Sequence, residues 1–282
     1  MSESLTKPNT TAVVLTIGFA DPTGAGGIQA DLLTFASMGS HGLSVMSGLT
    51  ISDSTGYDAF QAIDSDWVDD QARAVLEDMP CTAIKISEAG SLENIAVIAE
   101  IASDYPDLPF IFAPSLALHN CLEEQDNFGY PELLEAEVGL LLSQSSLYIA
   151  HIELAMRHAF SDTSDVDGSD TKQIADSLLA RGCEYVLLLG TTDLRKPFCS
   201  SLYAQEGLVR QDIWETPPYS LMGAEDTLAA AISTLLATGL EVPVAVAEAH
   251  EFLKSSLQQP LRLGMGHTLP DRFFWIRSEE DQ

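Results

Sequence analysis

A glycine-rich segment near the N-terminus combines a permissive backbone with one carboxylate. Residues 18–31, GFADPTGAGGIQAD, follow an apolar run and hold Asp21, Gly24, Gly26 and Gly27. Glycines in such a turn let the backbone approach a ligand, and the N-terminus of a following helix offers unpaired amides to an anion or a polar ring. A tight turn without a binding role would produce the same pattern. We treat the segment as a candidate substrate-binding loop.

A second candidate segment, MGAEDT at residues 222–227, stands before a run of small and apolar residues typical of a buried helix. The backbone of Gly223, Ala224 and Glu225 can direct amides at a developing negative charge. Asp226, in the first turn, could accept a proton from an alcohol. An ordinary helix start, where the helix dipole favours acidic residues, is the alternative explanation.

The histidines and cysteines show no pattern that indicates a metal. Four histidines stand apart, without HxxxH or carboxylate spacing, at His119, His151, His158 and His250. The four cysteines are equally scattered, without a CxxC pair, at Cys81, Cys121, Cys183 and Cys199. We therefore predict no metal site built by these residues, and reduced, mostly buried thiols.

Strand-like and helix-like stretches alternate along most of the chain. Apolar, strand-like runs lie at 12–18, 44–52, 82–87, 109–115, 146–151 and 184–190, with helix-like stretches at 26–39, 67–79, 93–103, 131–144 and near 170–181. Residues 199–214 indicate an antiparallel edge hairpin, and 223–239 and 243–259 two closing helices. This order predicts an α/β fold whose doubly wound, mostly parallel sheet is flanked by helices. Ligands of such sheets bind outside the carboxyl ends of the strands. We expect one domain over 1–282, with 1–11 a flexible segment and 276–282 an acidic tail.

Charge and hydropathy exclude several classes of protein. Thirteen Lys and Arg against 42 Asp and Glu give a net charge of −29, which repels nucleic acid and anionic lipid. A solvated surface explains the acidic excess, and adaptation of the source to high salt is an alternative explanation. The apolar runs fall short of the roughly 20 residues that a membrane helix needs, and residues 1–11 are polar. We expect a cytoplasmic protein.

Four segments are similar to motifs of one enzyme family. Residues 18–45 resemble the GSDPSGGAGIQAD region of the hydroxymethylpyrimidine/phosphomethylpyrimidine kinases of thiamine biosynthesis, within the ribokinase-like superfamily. GAEDT at 223–227 is similar to their GTGCT and to the GAGD of other ribokinase-like enzymes, with Asp226 at the position of the catalytic Cys or Asp. KISEAG at 85–90 resembles KIGMLG, and GMGHTLPDRF at 264–273 resembles GKGHGPVNHF. The resemblance covers nearly the whole chain and implies a ribokinase-like fold.

The resemblance implies ATP-dependent phosphorylation of a hydroxymethyl group on a pyrimidine, with Mg²⁺. Asp226 would activate the hydroxyl, and the amides of Gly223, Ala224, Glu225 and Asp226 would form an anion hole. Substrate-binding residues implied by the match are Asp21, Gly24, Gly26, Gly27, Ser52 and Glu88; nucleotide-binding residues are Gly190, Thr191 and Thr227. The implied partners are a small pyrimidine and ATP, and a homodimer is compatible with the resemblance.

Departures from the family pattern concentrate where the nucleotide would bind. The strand end DPV is Ala113-Pro114-Ser115 here, KGG is Leu189-Gly190-Thr191, and Leu154 and Glu225 replace a Glu and a Gly. These changes remove polar groups that phosphoryl transfer uses for positioning. Two alternatives therefore stay open beside the kinase: an inactive small-molecule-binding or regulatory module, and a kinase of another small alcohol such as pyridoxal.

Overall fold

A mixed β-sheet runs through the molecule. The computed structural model describes residues 11–125, 129–160, 170–191, 197–214 and 221–276, and within these ranges the sheet has nine strands. In chain order they are β1 (Val13–Ala20), β2 (His41–Asp53), β3 (Gly56–Ala62), β4 (Ala83–Ile86), β5 (Phe110–Phe112), β6 (Leu147–His151), β7 (Tyr185–Leu189), β8 (Cys199–Ala204) and β9 (Gly207–Ile213). Their spatial order is β3-β2-β1-β4-β5-β6-β7-β8-β9. Neighbours from β2 to β7 in this order are parallel, while β3, β8 and β9 each pair antiparallel.

Helices cover both faces of the sheet. They are α1 (Gly27–Ser37), α2 (Ser65–Asp78), α3 (Leu92–Asp104), α4 (Leu116–Glu124), α5 (Tyr130–Ala136), α6 (Ile152–Ala159), α7 (Thr171–Leu179), α8 (Ala224–Ala237) and α9 (Val242–Ser256). Strand residues alternate between the faces, so Leu15 and Ile17 pack into the core under α2, α3, α6 and α7, whereas Val14 packs into the core under α1, α8 and α9. Burial on both faces explains why β1 is a continuous apolar run.

The predicted architecture is confirmed, with differences at the level of single elements. The hairpin of β8 and β9 lies at one edge as expected, but β3 forms a second antiparallel edge that the sequence patterns did not indicate. Helices α4 and α6 were also not predicted, because each is short and begins within four residues of a strand end. The predicted helix over 131–144 is three pieces: α5, a π-helical turn over Glu137–Leu141 and a 3₁₀ turn over Leu142–Gln144.

Several expectations concern positions outside these elements. Residues 1–10 and 277–282, which make up nearly all of the two predicted terminal segments, lie outside the described residues, and the single domain stays a prediction. All four cysteines are free thiols, two buried and two half-buried. Among the described helices, every one is too short or too polar to cross a lipid bilayer.

Candidate functional site

The loop between β1 and α1 is organised by the carboxylate of Asp21. Its Oδ1 accepts hydrogen bonds from Thr23 N at 2.9 Å and Ser52 Oγ at 2.7 Å, and its Oδ2 accepts one from Gly26 N at 2.8 Å. The hydroxyl of Thr23 donates as well, at 2.8 Å. Asp21 is fully buried, so these donors occupy the lone pairs of its carboxylate. Asp21 and Ser52, predicted as substrate-binding residues, hold the loop in shape and tie it to β2.

Gly26 marks the place where the two predicted segments meet. A Cβ atom on Gly26 would lie 3.3 Å from Asp226 Oδ2 and 3.6 Å from Asp21 Oδ2, and would overlap the hydroxyl of Tyr57. The backbone of Gly26 is extended, with φ −120° and ψ −166°, so glycine is needed here for space. The loop therefore places its backbone against the carboxylate of Asp226.

The start of α8 presents free amides at the same point. Gly223 is its N-cap in the left-handed region, with φ 79°, and a Cβ there would overlap the carbonyl of Ala25. The first intrahelical bond runs from Thr227 N to Gly223 O at 3.0 Å. The amides of Ala224, Glu225 and Asp226 precede it and point out of the helix end. With the dipole of a 14-residue helix, they suit an anion.

Arg272 connects the loop between β1 and α1 to the start of α8 through hydrogen bonds. Its Nη1 donates to Gly24 O at 3.1 Å, its Nη2 to Ala25 O at 2.5 Å and its Nε to Thr227 Oγ1 at 3.0 Å. The side chain of Arg272 is buried. Thr227, predicted as a nucleotide-binding residue, is fully buried and uses its hydroxyl in this network, so it acts in positioning the helix start.

A cavity of about 290 Å³ opens at this end of the sheet. The four predicted catalytic residues, Gly223 to Asp226, all line it, together with Thr55, Gly56 and Tyr57 of the β2–β3 turn, Ser115 to Ala117 at the start of α4, and His151, Phe198, Leu221, Met222 and His267. The segment around Gly266 closes against the β2–β3 turn, since His267 N donates to Ser54 O at 2.7 Å and Gly266 N to Ser54 Oγ at 3.0 Å. The cavity lies outside the carboxyl ends of the parallel strands, where the sequence predicts ligands.

The two carboxylates of α8 are electrostatically unusual. Burial raises the pKa of Asp226 to about 6, and the negative charges of Asp31 and Asp21 act in the same direction, against the lowering effect of Lys85 and Arg272. Burial, with the charge of Asp226, raises the pKa of Glu225 to about 8. At neutral pH Asp226 is therefore largely ionised, whereas Glu225 is largely protonated. An ionised carboxylate suits Asp226 to accept a proton from an alcohol.

The remaining predicted residues lie away from the cavity wall. The carboxylate of Glu88 is buried against His119 and does not line the cavity. Gly190, with φ 105°, lies behind His151 and Phe198, which line the cavity. A Cβ atom added to Gly190 would be 3.2 Å from His151 Nε2 and 3.4 Å from a ring carbon of Phe198. Thr191, next along the chain, is half-buried and outside the set of lining residues. Gly24 and Gly27 shape the backbone, with φ 70° and 59°.

Three residues of the site were not singled out from the sequence. Tyr57 has its ring edge-on to Phe19, with centroids 5.5 Å apart, and burial and the charges of Asp226 and Asp21 raise its pKa. A single tyrosine on an edge strand gives no signal in the sequence. His267 and Arg272 lie in GMGHTLPDRF, so the motif match contained both without indicating their roles.

A smaller cavity of about 20 Å³ adjoins the first on the side of β5, β6 and β7. Apolar groups such as Ala113, Ile149 and Leu189 form its wall opposite Glu225 and Asp226. Within the described residues, neither cavity is lined by a Lys or Arg. The carboxylates of Glu225 and Asp226 are among the oxygen donors at this point, and hard carboxylate oxygens fit Mg²⁺ when phosphate oxygens and water complete the shell.

Comparisons with known sequences agree on one family. A sequence profile described as phosphomethylpyrimidine kinase matches residues 21–271. The hydroxymethylpyrimidine/phosphomethylpyrimidine kinase of Mycobacterium tuberculosis is 28% identical over 261 residues, covering 90% of this chain and 91% of that protein. The protein of the same name from Escherichia coli is 28% identical over 255 residues, covering 90% and 93%.

Solved structures show the same fold. Pyridoxal kinase from Staphylococcus aureus, in complex with AMP-PCP and pyridoxal, superposes with a TM-score of 0.80 at 22% identity, over 95% of this chain and 96% of that one. Phosphomethylpyrimidine kinase from Clostridium difficile superposes with a TM-score of 0.70 at 25% identity, over 86% and 98%. The nine-stranded sheet and its helices are thus those of the ribokinase-like kinases.

Proposed function

The chain belongs to the phosphomethylpyrimidine kinase family, whose members are phosphotransferases, and we propose that it phosphorylates the hydroxymethyl group of hydroxymethylpyrimidine or of its phosphate, using ATP, in thiamine biosynthesis. A cytoplasmic location, expected from the composition, is part of the proposal. One observation carries it: Asp226 and three free amides at the start of α8 face the loop that Asp21 organises.

The residues suggest how the step proceeds. The hydroxymethyl group lies in the 290 Å³ cavity beside Asp226, whose carboxylate accepts the hydroxyl proton. The hydroxyl oxygen forms a bond to the γ-phosphorus as the bond from that phosphorus to the ADP oxygen breaks. The amides of Ala224, Glu225 and Asp226 hold the equatorial oxygens of the transferring group, and their fixed orientation costs no reorganisation.

The charge balance of the site assigns a role to Glu225. Its carboxylate lines both cavities, so it faces the reacting groups. Burial and the charge of Asp226 raise the pKa of Glu225, so ionisation of both carboxylates is unfavourable, and a divalent cation would make it favourable. We propose that Glu225, ionised by the bound cation, helps to hold Mg²⁺ in place of the strand-end carboxylate that Ala113 replaces, while Asp226 stays free to accept the hydroxyl proton. Bound there, Mg²⁺ would neutralise charge on the phosphate oxygens.

Two other functions are compatible with parts of the site. The absence of Lys and Arg from both cavity walls, within the described residues, favours a binding module that holds a pyrimidine without transfer. The similar structure from S. aureus is a pyridoxal kinase, and this likeness favours a pyridoxal-type substrate.

A substrate panel separates these functions. The purified protein is incubated with MgATP and one of hydroxymethylpyrimidine, its phosphate or pyridoxal, and products are identified by mass spectrometry. We expect phosphorylated pyrimidine, formed at least tenfold faster than pyridoxal phosphate. Faster phosphorylation of pyridoxal would assign the other substrate. No product from any alcohol, with thermal stabilisation by the pyrimidine, would identify a binding module.

A further inference from the structure

Four buried side chains from separate parts of the chain meet on the side of the sheet that carries α6. They are Glu88 after β4, His119 of α4, Glu137 of the π-helical turn and His158 of α6, and we call them the His/Glu cluster. Each is fully buried. His119 Nε2 lies 3.3 Å from Glu88 Oε2 and 3.6 Å from Glu137 Oε1, and His158 Nε2 lies 2.9 Å from Glu137 Oε2. None of the four lines the cavity of Asp226.

Three atoms of the cluster face one another without completing a hydrogen bond. Glu88 Oε2, His119 Nε2 and Glu137 Oε1 are buried, and none has a partner in hydrogen-bond geometry. An unpaired buried polar group costs about 1 to 3 kcal/mol, so three such groups around one point need an explanation. Ligand atoms at about 2.0 to 2.1 Å from a tetrahedral Zn²⁺ are separated by about 3.3 Å. Donor atoms of His119, Glu137 and His158 lie within 4.8 Å of one another, and Glu88 Oε2 lies 3.3 Å from His119 Nε2, so small side-chain shifts would bring them to that separation.

The second nitrogen of each imidazole is held by a tyrosine. His158 Nδ1 lies 2.6 Å from Tyr148 OH, and His119 Nδ1 lies 3.2 Å from Tyr130 OH. With the ring protons on Nδ1 and donated to these hydroxyls, both histidines present the lone pair of Nε2 to the cluster. Histidines that bind metals show this arrangement, in which an outer hydrogen bond orients the ring.

The charge of the cluster also calls for a cation. Two carboxylates are buried together. Against the lowering effect of burial, Glu137 and Glu88 raise the pKa of His119 to about 9, so one imidazolium compensates one carboxylate and the other carboxylate stays uncompensated, which is costly. The guanidinium of Arg157 approaches the cluster through the hydroxyl of Tyr130, at 3.1 Å, and its other contacts are a hydrogen bond to Asn120 and ion pairs with Glu123 and Glu153. A divalent cation would neutralise Glu88 and Glu137 while leaving both imidazoles neutral.

We propose that His119, Glu137 and His158 hold a structural Zn²⁺ ion, and that Glu88, which approaches His119, closes the site as the fourth ligand when the ion binds. The two nitrogen and two oxygen donors suit Zn²⁺, whereas Mg²⁺ demands six oxygen donors. The site would join the end of β4 to α4, the π-helical turn and α6, and it stands independently of the proposed reaction. Its ligands are dispersed over 71 positions of the chain, from residue 88 to residue 158, so no spacing motif reveals them.

Metal analysis of the full-length protein tests the proposal. Protein purified without chelator should contain about one Zn²⁺ per chain by mass spectrometry of the digested sample. Removal of the metal should lower the melting temperature, and added Zn²⁺ should restore it. Replacement by Co²⁺ should give the intense visible absorption of a tetrahedral site with nitrogen and oxygen ligands, a readout that needs no substitution.

Matched variants locate the ion. Glu88→Gln and His119→Gln should each weaken Zn²⁺ binding at least tenfold, whereas His41→Gln, at an exposed histidine of β2, should leave it unchanged. If the variants do not fold, the Co²⁺ spectrum of the unaltered protein decides. The proposal would be overturned if the purified protein contained no metal, gave no tetrahedral Co²⁺ spectrum and showed no change in melting temperature with Zn²⁺. The four side chains would then share protons in a hydrogen-bonded network. Folded variants that bind Zn²⁺ as tightly as the unaltered protein would also overturn the proposal, because the ion would then be bound elsewhere.

Discussion

Arg272 donates a hydrogen bond of 3.1 Å from Nη1 to the carbonyl oxygen of Gly24, a residue 248 positions earlier in the chain. The same guanidinium reaches Thr227 at the start of α8. One buried side chain from the C-terminal segment therefore fixes the distance between the candidate substrate loop and the candidate anion hole. The site therefore depends on a contact between two residues that are 248 positions apart in the sequence.

We expect Arg272→Met to destabilise the fold and the site together. It leaves buried carbonyl groups unpaired and removes positive charge near Asp226, at a cost of about 3 kcal/mol, or roughly 6 to 12 °C in Tm. Arg73→Met is the control, because Arg73 is partly exposed in surface ion pairs worth about 1 kcal/mol or less. Equal losses in thermal melts of the two variants would refute the role of Arg272.

Gly26→Ala tests the close approach of the loop to Asp226. The added methyl group fits the extended backbone but displaces the hydroxyl of Tyr57, so we expect kcat/KM for the pyrimidine to fall about 10- to 100-fold with little change in Tm. Gly139→Ala adds a methyl group in open space and should be neutral. Unchanged kinetics of Gly26→Ala would show that the substrate does not use this approach.

The sequence patterns predicted the parts of this molecule that depend on residues close together in the chain. Buried strands such as β1 and helices such as α8 carry a strong periodic signal, and the segment around Asp226, predicted to be catalytic, lines the cavity. Tyr57, Arg272 and the His/Glu cluster act through contacts between distant positions, which periodicity does not encode. Glu88 illustrates the difference: motif position indicated substrate binding, whereas its surroundings place it beside His119.

Glu225→Gln should stabilise the protein in a pH-dependent way. The pKa of Glu225 is raised from 4.5 to about 8 in the folded state, so the stability linked to its proton is complete below about pH 4.5 and is lost as the pH rises through about 8. Glutamine mimics the protonated form. The Tm difference from the unaltered protein should be near zero at pH 4.5 and grow to roughly 4 to 9 °C at pH 8, since Glu225 is half-buried and contributes about half of the roughly 4 to 5 kcal/mol of the full shift. Glu206→Gln, on the exposed β8–β9 turn, is the control, and a difference independent of pH would contradict the burial of Glu225.

The same substitution tests the magnesium role. If the carboxylate of Glu225 holds Mg²⁺, Glu225→Gln should raise the Mg²⁺ concentration for half-maximal rate roughly 10- to 100-fold, by analogy with losses at other metal sites. Steady-state rates across a Mg²⁺ titration at saturating ATP measure it. A variant that is faster at every Mg²⁺ concentration would show instead that Glu225 merely repels the phosphoryl group.

The most direct measurement of the central claim is the single-turnover rate of phosphoryl transfer to hydroxymethylpyrimidine, followed from pH 5 to 8 in the unaltered protein and in Asp226→Asn. With Asp226 as the general base, the rate should rise with pH through about 6 and then level off. Asp226→Asn should be roughly 10² to 10⁴ times slower, without that rise, while it still binds the pyrimidine. A transfer rate in Asp226→Asn equal to that of the unaltered protein, with the same pH profile, would contradict the account.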